Sequence, residues 1–119
     1  MILVDTSVWI DHFRSGKIGL DDLLDDAGAL AHPFVIGELA CGNLRARAEV
    51  LGLLQQLPQA PQASQQEVLV FIEQNTLMGR GIGFVDAHLL AATALAEDAR
   101  LWTRDRRLQR VAQDLDLSY

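Results

Sequence analysis

Met1-Ile2-Leu3-Val4-Asp5-Thr6-Ser7 opens the chain with four apolar residues and then turns at once to an acid and two hydroxyls. Four apolar residues suit a short buried strand, and Thr6-Ser7 suits the cap of a helix on which Trp9, Ile10 and Phe13 form one apolar stripe. Comparable junctions follow. Glu38 lies in Pro33-Phe34-Val35-Ile36-Gly37-Glu38-Leu39, Asp86 opens Asp86-Ala87-His88-Leu89-Leu90, and Asp105 follows Leu101-Trp102-Thr103-Arg104. Strands alternating with helices predict an α/β fold whose parallel sheet is covered on both faces. The carboxyl ends of parallel strands share one edge, where open α/β sheets place their ligands. Acids far apart in the chain are therefore expected to meet in space.

Outward from that first strand, Gly16 ends the first helix, and Leu20, Leu23 and Leu24 suit a second, short one. Ala29-Leu30-Ala31-His32 reads as the next strand, and Pro33 sits well in the first turn of the helix that follows, where Glu38 lies beside the apolar face of Val35, Ile36, Leu39 and Ala40. Gly42-Asn43 breaks the pattern before an amphipathic helix from Ala46 to Leu57, and Pro58 to Ala63 reads as a short edge strand or loop. Ser64 with Glu67 three residues later is a capping box ahead of Val68 to Leu77. Gly79-Arg80-Gly81-Ile82-Gly83 reads as a flexible connection without the lysine of a phosphate-cradling loop. The helix opened by Asp86 is apolar nearly all round, as a central buried helix would be. Arg100 to Thr103 then suits a strand, Asp105 to Leu115 a helix, and Leu117-Ser118-Tyr119 a last strand.

At 119 residues, half of them apolar, the chain is expected to form one globular domain over residues 1–119. Cys41 is the only cysteine, which rules out an internal disulfide; it is expected as a small buried side chain on the Glu38 helix. The initiator runs straight into Ile2-Leu3-Val4-Asp5, with no basic leader and no long apolar stretch, so a cytoplasmic protein without a membrane span is expected. A net charge of −6 argues against holding nucleic acid by an overall field, yet nine of the ten basic residues are arginine. Arg104, Arg106, Arg107 and Arg110 surround Asp105, and arginine grips phosphate in a bidentate way that lysine does not match.

Each acid has a purely structural reading as well. Asp5, Asp86 and Asp105 suit helix N-termini, whose orphan amides a carboxylate satisfies, and Glu38 suits a solvated helix face. Taken together they read differently, because carboxylates crowded into one pocket stay ionised only when something positive joins them. Mg²⁺ or Mn²⁺, bound through oxygen, fits that set. Such ions activate water for in-line attack on a phosphodiester, with no covalent nucleophile. Thr6, Ser7 and Thr103 are candidates for substrate binding or for supporting these carboxylates, with capping the competing use of Thr6 or Ser7. His12, His32 and His88 show no metal-ligand spacing and read as surface or core residues.

Val4-Asp5-Thr6-Ser7, Ile36-Gly37-Glu38-Leu39-Ala40-Cys41-Gly42, Gly81-Ile82-Gly83-Phe84-Val85-Asp86-Ala87-His88-Leu89-Leu90-Ala91-Ala92 and Leu101-Trp102-Thr103-Arg104-Asp105-Arg106-Arg107-Leu108 resemble the four signature segments of PIN-domain ribonucleases. The likeness is greatest to the VapC toxins of bacterial toxin-antitoxin pairs and spans essentially the whole chain. It implies a three-layer α/β/α domain around a central parallel sheet of four to five strands. It also implies that Asp5, Glu38, Asp86 and Asp105 are the metal-binding and catalytic quartet of an endoribonuclease that uses Mg²⁺ or Mn²⁺ to cut RNA. A homodimer and a cognate antitoxin, whose tail fills the acidic groove, are implied as partners. His32-Pro33-Phe34 stands where many relatives carry a serine or threonine ahead of the glutamate.

Other classes fit less well. A receiver domain needs a phosphoacceptor Asp after its third strand and a lysine after its fifth, yet no Asp lies between Asp26 and Asp86 and the only lysine is Lys17. A haloacid-dehalogenase-type phosphatase needs a second Asp at the position held by Ser7. The remaining alternative is a catalytically inactive PIN fold used for binding or dimerisation, against which the retention of all four acids speaks.

Overall fold

A computed structural model describes residues 1–119. The elements run β1 (Ile2–Val4), α1 (Thr6–Ser15), α2 (Leu20–Asp25), β2 (Ala29–Leu30), α3 (Pro33–Ala40), α4 (Arg47–Gln56), α5 (Gln65–Gln74), α6 (Phe84–Leu95), β3 (Arg100–Trp102) and α7 (Arg106–Asp114). The strands form one parallel sheet in the order β2-β1-β3, with Leu3 beside both Leu30 and Leu101. The chain thus moves from β1 to one side and returns past it to the other. Right-handed connections put the helices of those two excursions on opposite faces of the sheet. The reversal leaves a crevice at the carboxyl end of β1, the place where open sheets bind ligands.

Two expectations about the sheet need correction. Three strands form it, not four to five. The segments expected at its edges each make a single isolated bridge, Gln59 with Ala31 and Ser118 with Leu101. Pro58 and Pro61 flank the first and cannot donate to a ladder, and the second is held only by bonds around Leu101, from its N–H to Leu117 and to its carbonyl from Tyr119.

Leu3, Val4 and Leu101 anchor a core of twenty buried residues, in which Trp9 of α1 is the largest fully enclosed side chain. The stripe expected on α1 is therefore partly misplaced: Val8 and Trp9 face inward, while Ile10 and Phe13 remain 39% and 41% exposed. Gly16 ends α1 in the left-handed conformation, with φ 67°, that glycine adopts without strain. In α6, all residues from Ala87 to Thr93 are buried, which makes it the rigid central helix its composition foretold. The capping box of Ser64 and Glu67 at α5 is present in both directions, at 3.1 and 2.8 Å. Cys41, expected inside, is exposed, because α3 ends there and its buried stripe stops at Leu39. No helix is long and apolar enough to cross a membrane.

Candidate active site

Val4 pairs with Trp102, so the next residues, Asp5 and Thr103, stand side by side as the two strands end. The Asp5 carboxylate is buried at 6% exposure, and its Oδ2 accepts the Thr103 hydroxyl at 2.7 Å and the Ser7 hydroxyl at 2.8 Å. Ser7 in turn accepts the Arg104 backbone N–H at 2.9 Å, and Thr103 accepts the Asp105 N–H at 3.1 Å. One carboxylate oxygen is thus saturated by groups that the β3–α7 turn holds in place. Asp5 occupies the N-cap position of α1 but makes no capping bond. Thr6 and Ser7, expected to cap that helix, do not; Thr6 donates instead to Glu38 Oε1 at 2.7 Å, across the contact between α1 and α3.

Asp86 and Asp105 are held differently. Asp105 is the N-cap of α7, its Oδ1 accepting the N–H groups of Arg107 and Leu108 at 2.9 and 3.1 Å. Asp86 lies in the third position of α6, because the helix starts earlier than expected, at Phe84, and its Oδ2 accepts the Gly83 N–H at 3.0 Å. Both acids therefore satisfy orphan amides at helix N-termini, where the macrodipole favours negative charge.

The four acids share one electrostatic environment. Burial pushes the Asp86 carboxyl above its ordinary value, the Gly83 N–H pulls it back, and the charges of Asp5, Asp105 and Glu38 each push it up again. The four carboxylates thus lie within electrostatic reach of one another. Electrostatic reach is not ligation, however. No three of the acidic, histidine and cysteine side chains stand close enough to hold a metal ion as they lie. Each acid is drawn to its own donor, and like charges disfavour closer approach. The donor set nevertheless fits a hard divalent cation: carboxylate oxygens in one electrostatic environment, with Asp86 raised in pKa by burial first and then by the other three.

The arginines are divided in their use. Arg104 pairs with Asp11 at 3.0 Å and Arg80 with Asp114 at 2.6 Å, whereas the guanidinium groups of Arg106, Arg107 and Arg110 lie within 4 Å of no carboxylate. Two histidines are core residues with a role the sequence reading did not assign. His32 Nδ1 accepts the Phe34 N–H at 3.0 Å and so caps α3, the work a serine or threonine would otherwise do. Burial, and the nearby His88, push His32 down to about 4. His88, lowered by burial, sits between Phe34 and Phe84 with both ring centroids 4.7 Å away, and its Nε2 has no hydrogen-bond partner. The one signal for this cap was the placement of His32 directly before Pro33, which occupies the first turn.

The PIN domain family model matches residues 2–114. The chain is also similar to Ribonuclease VapC32 of Mycobacterium tuberculosis, strain CDC 1551 / Oshkosh. The two are 52% identical over 109 residues, which is 92% of this chain and 88% of the relative. The protein of the same name from strain H37Rv matches with the same figures.

Proposed function

Because the chain belongs to the PIN-domain family and to its VapC-type ribonucleases, we propose that it is a metal-dependent endoribonuclease and the toxin of a type II toxin-antitoxin pair. The observation that carries this reading is the placement of Asp5 directly after β1, Asp105 at the entrance of α7 and Glu38 on α3, all within electrostatic reach of Asp86 near the entrance of α6. Asp5, Glu38, Asp86 and Asp105 would hold Mg²⁺ or Mn²⁺. Such an ion supplies Lewis acidity, lowering the pKa of water and neutralising charge on the phosphodiester.

The chain's own groups prepare that chemistry. Ser7 and Thr103 both donate to Oδ2 of Asp5 and so fix the plane of its carboxylate, leaving Oδ1 without a protein donor. Thr6 restrains Glu38, which would otherwise sweep a wide arc at the exposed end of a long side chain. Asp86 and Asp105 stand on helix entrances whose positive ends offset part of their mutual repulsion. Anchoring on rigid elements limits how far any of them strays from a productive geometry. Serine and threonine serve here as hydrogen-bond donors, and no covalent intermediate with the protein is involved.

In this reading residues 1–119 are a single domain that acts in the cytoplasm, dimerises with a second copy, and is silenced by an antitoxin segment laid in the acidic groove. Cleavage of single-stranded RNA by the purified protein tests the catalytic assignment. Activity is expected with Mg²⁺ or Mn²⁺, lost with EDTA, and lowered roughly a thousandfold in Asp5→Asn. Undiminished cleavage by Asp5→Asn, or in EDTA, would overturn it.

A further inference from the structure

Among the exposed arginines, one is built into the rim of the site. Arg107 is the second residue of α7, and its backbone N–H donates to the Asp105 carboxylate. Its side chain does not follow the helix outward but crosses to the segment that leads into α6. A Cβ placed on Gly81 would stand 2.7 Å from Arg107 Cδ, 3.1 Å from Nη1 and 3.2 Å from Nε. The Arg107 side chain therefore fills the space a Cβ would take at Gly81, three residues ahead of the start of α6. Gly81 also has φ +81°, a left-handed conformation that side chains resist, so glycine is required there on two counts. The same segment is fastened further along α7 by the bond from Arg80 to Asp114.

Arg107 shares with Arg14, Arg45, Arg106 and Arg110 an unused hydrogen-bonding capacity, and what distinguishes it is its packing against Gly81. Arg80, Arg100 and Arg104 all spend theirs on carboxylates of the protein, and Arg47 on the carbonyls of Ala40 and Gly42. The Arg107 side chain has no acceptor in the protein: no carboxylate stands within 4 Å of its guanidinium, although Asp105 is only two residues away in the chain. A guanidinium held in place, beside an acidic crevice and without a partner, is preorganised for an oxyanion supplied from outside. In a chain of net charge −6, a strand of RNA must find its attraction locally.

We infer that Arg107, laid across Gly81, is the side chain that grips a phosphate of single-stranded RNA next to the scissile bond and so holds the strand over the four acids. It is a positioning residue. The inference rests on the nuclease reading, and the experiment separates the two. In an Asp5→Asn background, which keeps RNA intact, the affinity for a fluorescein-labelled, mixed-sequence single-stranded RNA is measured against salt concentration. Adding Arg107→Ala is expected to weaken binding roughly tenfold and to flatten the slope of log Kd against log salt by about 0.7. Arg106→Ala, whose exposed side chain is not among the atoms packed on Gly81, is expected to change affinity much less. Arg107→Lys should recover only part of the loss, because an ammonium does not offer the planar fork. Gly81→Ala should displace the guanidinium and reproduce the loss. An unchanged affinity and slope in Arg107→Ala, or an equal loss in Arg106→Ala, would overturn the inference. With Asp5 intact, Arg107→Ala should raise KM and spare kcat. Full cleavage by Asp5→Asn would sink the nuclease reading alone, whereas normal cleavage and normal RNA binding by Arg107→Ala would sink this inference alone.

Discussion

The two sides of the acidic crevice hold their carboxylates by different means. On the β1 side, Asp5 and Glu38 are restrained by the hydroxyls of Ser7, Thr103 and Thr6, and two of those bonds link residues 98 and 32 positions apart. On the side of the α6 and α7 entrances, Asp86 and Asp105 accept backbone amides no more than three positions away. The second pair stabilises the helices it stands on and would be useful in a protein with no site at all. The first pair offers no such local return: Asp5 is buried and makes no capping bond. Burying a carboxylate costs free energy that only good partners offset, so the hydroxyls around Asp5 are the feature of this crevice that folding alone does not explain.

That contrast can be sharpened first through pH, where the effect is largest, because α3, which carries Glu38, is capped by an imidazole and not by a carboxylate. His32 is depressed to about 4 from an ordinary 6.5. A depressed group contributes stability that is complete above 6.5 and is lost as pH falls through its folded value. Protonation also removes the Nδ1 acceptor that caps α3. From pH 7 to pH 4 the loss is on the order of 3 kcal/mol. Asp86 acts in the opposite sense: raised above 3.8, it adds stability that is present below that value and lost as pH rises through its folded pKa. Urea unfolding at pH 7 and pH 4 separates them. His32→Asn keeps a capping acceptor without the titration, so it should lose clearly less stability than the parent, and an equal loss would remove His32 from the account.

Next in size is Thr103→Val, which keeps the shape and deletes the hydroxyl. It takes a donor from the buried Asp5 and an acceptor from the Asp105 N–H, at a cost of about 2 kcal/mol in urea unfolding, with a fall in cleavage. A change of only a few tenths would mean that Asp5 does not depend on its hydroxyls, and the contrast between the two sides would collapse.

The smallest effect probes the other side. Asp105→Ala should cost about 1 kcal/mol, while Asp105→Asn, an equally good cap, should cost next to nothing. Both are expected to cleave RNA poorly. If Asn destabilised as much as Ala, the carboxylate charge and not the capping bond would be holding the entrance of α7.

How much of this was legible in advance follows the same division. The strand before Asp5, the capping box at Ser64 and the buried character of α6 depend on neighbours a few positions apart, and all are present. The misreadings concern choices among local alternatives that distant contacts settle. Thr6 and Ser7 had the chemistry of caps, but Thr6 donates to Glu38 of α3, and Ser7 donates to Asp5 while accepting the Arg104 N–H from the turn after β3. Phe13 had helical spacing, but no neighbouring element covers it. Pro58 to Ala63, read as an edge strand or loop, is a loop with a single bridge, and Leu117 to Tyr119, read as a last strand, likewise keeps a single bridge and no ladder. His32 as a cap was signalled only by its place before Pro33, and Arg107 on Gly81 not at all, because neither the caps a histidine makes nor the path of a long side chain leaves a periodic trace.

Residue order alone settles which groups exist and where regular structure starts, since apolar periodicity and capping act over one helical turn. That is why the four acids could be picked out, together with the kind of ion and reaction they suit. Which oxygen each hydroxyl serves, which arginines are left without a partner, and how closely the acids approach are set by strand register and helix packing. Those depend on contacts tens of residues apart, whose energies no short stretch of chain contains.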